Sequence, residues 1–213
     1  VIHDLSIQLV SAWHDTGWIE ITAALLAVAY LLLAIRQLQS CWAAAFVSSC
    51  LYVWVLFSAR LYMESALNAF YAAMAVYGYW QWQQGGGGGR DRGGRGAALA
   101  VSRWPFGRHV AGFAGIVGLS VISSYFLRRF TPAAWPFVDS LVTWSSVFAT
   151  FLVARKVYEN WHWWLVIDSV SLCLCFTRHL YFTTLLFGLY LILIVIGMRQ
   201  WRGTLPSAAH AVE

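Results

Sequence analysis

Apolar residues in this chain gather into seven runs, at about 18–36, 41–58, 61–82, 109–127, 134–154, 161–177 and 180–199, separated by short polar or aromatic joints. A helix rises about 1.5 Å per residue, so roughly 20 apolar residues cross about 30 Å of hydrocarbon. None of the runs has the ten-residue alternation of a barrel strand, and helices satisfy their own backbone groups inside lipid. The pattern predicts an all-α polytopic membrane protein with seven transmembrane helices. Residues 1–16 follow a different pattern. Ile2, Leu5, Leu9 and Trp13 recur near one helical face, as in an amphipathic segment lying on a membrane surface. That piece lacks the basic start and apolar core of a signal peptide. Position 1 is Val rather than Met, so the natural start is expected upstream.

The polar positions divide the chain further. "GGGGGRDRGGRG" (85–96) lacks the lysine and flanking strand of a phosphate-cradling loop and reads as a flexible, positive linker. Sliding the sequence along itself by 119 residues aligns 18–82 with 137–201 without a gap, and fourteen of the 65 pairs are identical. Among them are Trp42/Trp161, Tyr71/Tyr190, Gly78/Gly197 and Trp82/Trp201. Two three-helix repeats joined by one extra span follow (3+1+3), and a single connecting span makes them parallel. Parallel repeats are a transporter architecture, with substrate held near the midplane between them. The expected units are the N-terminal segment 1–16, repeat one at 17–84, the linker at 85–108, the linker helix at 109–130, repeat two at 131–202 and a tail at 203–213.

Composition agrees with lipid as the solvent: 60% of residues are hydrophobic and 11% charged, against about 25% charged in a soluble domain. With the N-terminus outside, ten basic residues fall on inner loops and tail, and only Arg60, Arg128, Arg129 and Arg178 on the outer side. That asymmetry predicts a multi-pass protein of the cytoplasmic membrane, N-terminus out and C-terminus in. It also makes the net charge of +5 a property of one membrane face rather than a nucleic-acid footprint. Cys173 and Cys175 point roughly 200° apart on a helix and cannot form a local metal pair; the four cysteines are read as packing residues, and no cofactor is implied.

Ionisable groups inside spans are costly and mark candidate sites. Glu20 and Asp139 occupy matching repeat positions near the outer span ends and read as structural. Asp168 lies near the middle of the sixth span, in "NWHWWLVIDS" (160–169). Trp161, Trp164 and Asp168 stand at i, i+3 and i+7 and share a face, with Trp163 pointing elsewhere. On the third span Asn68, Tyr71, Ala75, Gly78 and Trp82 form a second such face. Together these faces supply aromatic walls, an amide, a phenol and one carboxylate, with Asn160 beside them by position. Such a pocket suits a planar cationic heteroaromatic bearing hydroxyls, since tryptophan is the strongest cation–π partner. The remaining inner-end tryptophans, Trp42, Trp80, Trp82 and Trp201, read as interfacial anchors.

At these residues the chain resembles the PnuC family of vitamin transporters, nicotinamide riboside type. Trp161 and Trp164 match its W-x-x-W pattern, and Asn68, Tyr71, Tyr77, Gly78 and Trp82 match N-x-x-Y-x-x-x-x-x-Y-G-x-x-x-W. The resemblance runs from about residue 17 to 202. It implies a SWEET-like fold, a tendency to form homotrimers, facilitated diffusion of nicotinamide riboside for NAD biosynthesis, and trapping by a cytoplasmic riboside kinase. It carries the substrate-site role to Asn68, Tyr71, Trp161 and Trp164, while Asn160 and Asp168 rest on position and chemistry. Thiamine, also a flat cation, is the alternative cargo, and a ligand sensor without net transport a further one. Riboflavin, neutral and larger, fits less well. A retinal protein would need a lysine within a span, and the sole lysine, Lys156, sits at a span end. Intramembrane protease motifs are not evident, so an enzyme is not expected. The expected mechanism is alternating access by rocking of the two repeats.

Overall fold

The computed structural model describes residues 18–58, 62–84, 99–130, 135–178 and 181–205, apart from the side chains of Glu20, Tyr62, Met63 and Phe182. The amphipathic segment 1–16, the glycine-rich stretch 85–96 and the end of the tail lie outside the described residues.

Among the described residues seven helices follow one another: α1 Trp18–Ile35, α2 Cys41–Ser58, α3 Tyr62–Gln84, α4 Phe106–Phe130, α5 Pro136–Ala154, α6 Asn160–Thr177 and α7 Tyr181–Arg202. Prolines fix two of the starts. Pro136 occupies the first turn of α5, where its missing N–H costs nothing, and Pro105 directly precedes α4. On length and composition α2, α4, α5 and the Thr183–Arg202 part of α7 suffice to cross a membrane, and α1 adds a shorter apolar stretch at Ile21–Ile35. The helices α3 and α6 fall below that level because they carry the polar set: Glu64, Ser65 and Asn68 on one, Asn160, His162 and Asp168 on the other. The protein is an all-helical, multi-pass membrane protein. On α4, Val110, Phe113, Leu119, Ile122 and Phe126 stay exposed, the composition of a surface turned to lipid.

Helix neighbours come in matched sets. In each half the consecutive helices pack together (α1 on α2 and α2 on α3; α5 on α6 and α6 on α7), and the halves meet through α3 on α5 and α1 on α7. The α4 helix packs on α5. The region where α1 passes into α2 and α5 into α6 will be called the linker end. Both joints there use the same backbone device: Gln37 (φ 58°) and Lys156 (φ 50°), 119 residues apart, each turn the chain in the left-handed region.

Tryptophans fill this end. The ring of Trp42 lies where a Cβ on Gly78 would sit, 2.4 Å away, and is edge-on to Trp82 at 5.4 Å. Trp161 does the same at Gly197, also 2.4 Å, and is edge-on to Trp201 at 5.4 Å. Each terminal tryptophan then crosses to the other half, where a buried indole needs an acceptor. Trp82 Nε1 donates to the Val153 carbonyl (3.3 Å) and Trp201 Nε1 to the Ala34 carbonyl (3.1 Å). Trp42, Trp82 and Trp201 are thus core residues, at most 5% exposed, and not the interfacial anchors expected of them. A helix end rich in tryptophan looks alike in both roles; the glycine across from the ring makes the difference. Trp80 does stay half exposed.

Candidate functional site

Six helices, α1, α2, α3, α5, α6 and α7, enclose a cavity of about 330 Å³, and α4 takes no part in it. All six residues expected at the site line it: Trp161, Trp164, Asn68, Tyr71, Asp168 and Asn160. The helical spacing explains the convergence, since α3 and α6 each turn one face inward.

Each residue presents something different. Trp161 is 2% exposed and wedged against Gly197 and Trp201, so it forms a fixed wall. Trp164, one turn deeper, is only partly buried and has open face to offer. Asp168 is buried, and among the described residues no basic side chain lines the cavity with it. Asn160 opens α6 with its Nδ2 donating to the Val157 carbonyl at 2.6 Å, while its buried Oδ1 has no partner. Asn68 donates to the Glu64 carbonyl of its own helix at 2.9 Å, which leaves its carbonyl oxygen for a donor. Trp163 points away, as expected, and is packed there: it is edge-on to Phe148 at 5.1 Å and donates to His109 Nδ1 at 3.3 Å. Asp139 pairs with Arg178 at 3.4 Å, the structural role expected of it. His162 is exposed, and the four cysteines are free. Among the described residues no cluster of potential metal ligands occurs.

The remaining lining was not anticipated residue by residue, although the offset of 119 contains it. Of 24 lining residues, ten pairs stand 119 apart, and only Tyr30, Val142, Asn160 and Ile194 lack a lining counterpart. Tyr71 pairs with Tyr190 and Trp42 with Trp161, whereas Asp168 pairs with Ser49, Trp164 with Ala45 and Asn68 with Phe187. The frame of the cavity is duplicated and its chemistry is not. The carboxylate and the open tryptophan both come from α6.

Lys156 closes the linker end below this wall. Its ammonium lies 4.4 Å from the centre of the Trp82 ring, and burial pushes its pKa down from 10.5, the neighbouring Cys41 thiol acting the other way. The segment ahead of α4 docks on the same turn: Ser102 N donates to the Lys156 carbonyl (3.0 Å) and Tyr158 N to the Ser102 carbonyl (2.8 Å).

The family model for nicotinamide mononucleotide transporters matches residues 17–203, the whole helical body. The chain belongs to that family. The family is one of transporters rather than enzymes, and the chain matches its model along the helical body. Over 185 residues it is 26% identical to the riboflavin/roseoflavin transporter RibM of Streptomyces davaonensis, covering 86% of this chain and 84% of RibM. The nicotinamide riboside transporter PnuC of Escherichia coli is 29% identical over 85 residues, 40% of this chain and about a third (34%) of that protein's length. The crystal structure of a vitamin B3 transporter PnuC superimposes with a TM-score of 0.71 at 20% identity, covering 95% of this chain and 88% of that one. The chain therefore has the PnuC fold.

Proposed function

We propose that this protein carries nicotinamide riboside across the cytoplasmic membrane by facilitated diffusion. One observation carries the reading: a buried carboxylate, Asp168, stands among aromatic rings in a cavity that no basic side chain lines among the described residues. A buried anion without a cationic partner is costly, and a cationic ring system is the ligand that offsets it while stacking on Trp164. Asn68 and Asn160 offer acceptor oxygens to a carboxamide or to ribose hydroxyls. Thiamine meets the first requirement too and is the alternative cation.

The matched helix neighbours and the crossed Trp82 and Trp201 hydrogen bonds support a 3+1+3, SWEET-like arrangement of two parallel repeats, with α4 as the connecting span. The repeats rock about the cavity. The count of basic residues supports a cytoplasmic linker end and C-terminus. Cargo then enters NAD biosynthesis and is trapped by a cytoplasmic kinase, and the transporter works as a homotrimer.

A second reading, riboflavin as cargo, is favoured by the likeness to RibM along most of both chains. Uptake of labelled nicotinamide riboside into proteoliposomes without an imposed gradient decides between them, with unlabelled thiamine and riboflavin as competitors. Equilibrating uptake insensitive to both competitors supports the first reading. Block by riboflavin, together with direct riboflavin uptake, replaces it with the second, and block by thiamine with a thiamine carrier. Binding without uptake would make the protein a sensor.

A further inference from the structure

A second cavity, about 400 Å³, lies on the outside of the bundle where α4 crosses α3 and α5. Every residue lining it is apolar, and its single polar atom, the indole N–H of Trp144, already donates to Ser123 Oγ at 2.9 Å. Two glycines of α4 keep it open. The Phe148 ring occupies the place of a Cβ on Gly112, 2.6 Å away, while a Cβ on Gly115 would meet nothing within 4 Å. From Phe151 to Trp144 the α5 wall runs about 10 Å along the helix, at about 1.5 Å per residue.

Charge stands at the linker-end mouth of the groove. There Trp104 covers the groove, with ring centres 6.2 Å from Phe151 and 6.5 Å from Phe148. Two guanidinium groups sit on these rings: Arg155 lies 5.5 Å from the Phe151 centre and Arg108 5.4 Å from the Trp104 centre. Both arginines are exposed, and neither pairs with a carboxylate among the described residues. A neighbouring carboxylate, Glu159, accepts from the Trp104 backbone N–H at 3.2 Å and faces His109 at 3.9 Å. A dry groove ending in two guanidiniums is complementary to one class of molecule in a bilayer.

We propose that the groove binds an anionic phospholipid from the leaflet at the linker end. One acyl chain lies between α4 and α5, and the phosphate sits on Arg108 and Arg155. Guanidinium suits that role because it meets phosphate oxygens through paired N–H groups and stays charged at any physiological pH. The lipid then ties α4, otherwise held mainly by α5, to the joint between α5 and α6. This does not depend on which vitamin the central cavity takes.

Delipidated protein titrated with phosphatidylglycerol or phosphatidylcholine, read by native mass spectrometry, tests it. The wild type should prefer phosphatidylglycerol by about tenfold or more, as expected of two surface arginines near an anionic headgroup. R108Q/R155Q should bind both lipids equally at the phosphatidylcholine level. G115L, which fills open space, should lose both while keeping the wild-type melting temperature of the lipid-free protein. No preference in the wild type, a preference that survives R108Q/R155Q, or a folded G115L that binds like the wild type would each overturn the proposal. So would a lipid-free oligomer that G115L dissociates, because a second copy would then be the occupant. Should G115L fail to fold, the arginine pair alone decides.

Discussion

In the proposed site Asp168 and Trp164 would act on a ligand through different physics, and their replacements separate the two. Trp164→Ala removes one stacking face and should weaken binding of any flat ligand by about 1–3 kcal/mol, read by calorimetry on purified protein. Asp168→Asn keeps the shape and removes the charge. Its affinity for nicotinamide riboside should fall at least about tenfold, in keeping with a buried charge interaction, while that for a neutral ring should not fall. An unchanged affinity for the cation would sink the counter-ion role. Lys156 gives a third test. Its folded pKa lies below the ordinary value of 10.5 that the unfolded chain keeps, so the unfolded chain binds more protons between the two. Stability must therefore rise with pH through that window and level off above it. Lys156→Met should abolish this rise, measured as melting temperature at stepped pH, because the neutral side chain has no proton to lose.

Among the elements, the tryptophan–glycine wedge carries the strictest geometry. Gly197→Ala pushes a methyl into the Trp161 ring at 2.4 Å and should cost about 1–3 kcal/mol by overpacking. Gly188→Ala, where nothing lies within 4 Å, is the control and should melt no lower than the wild type. At this scale most of the architecture was legible in the sequence. The apolar runs anticipated all seven helices, because lipid-facing and core-facing positions alike must be apolar. Their ends were less legible: α4 reaches Phe106 and Phe130, and α7 reaches Arg202, since helices continue past the hydrocarbon where polar residues replace apolar ones. The site residues on α3 and α6 were legible because polar groups are scarce in such segments. Tyr30, Tyr52 and the serines of α2 and α5 were not, because an isolated hydroxyl in a span bonds its own helix as readily as it lines a cavity. Ser146 does bond back to the Val142 carbonyl at 2.8 Å. Trp42, Trp82 and Trp201 were misjudged as anchors, although the paired glycines Gly78 and Gly197 were already visible at the same offset.

For the whole molecule, the proposed rocking of the two halves would require the linker end to open. Gln37 Nε2 donates to Thr204 Oγ1 at 2.8 Å, joining the turn after α1 to the end of α7. Gln37→Cys/Thr204→Cys treated with a short bismaleimide should stop uptake while ligand binding persists, and the untreated variant should transport. Transport unaffected by complete cross-linking would rule out motion at this seam. The unequal pairs around the cavity have a consequence for descent. A dimer of identical three-helix chains would carry the same side chain at both members of every pair, so Trp164 and Asp168 would each appear twice across the axis, two carboxylates confronting one another over a single ligand. Joining the copies in one gene lets one half mutate while the other keeps the frame. A lopsided vitamin can then be gripped by tryptophan and carboxylate on one side and admitted by alanine and serine on the other.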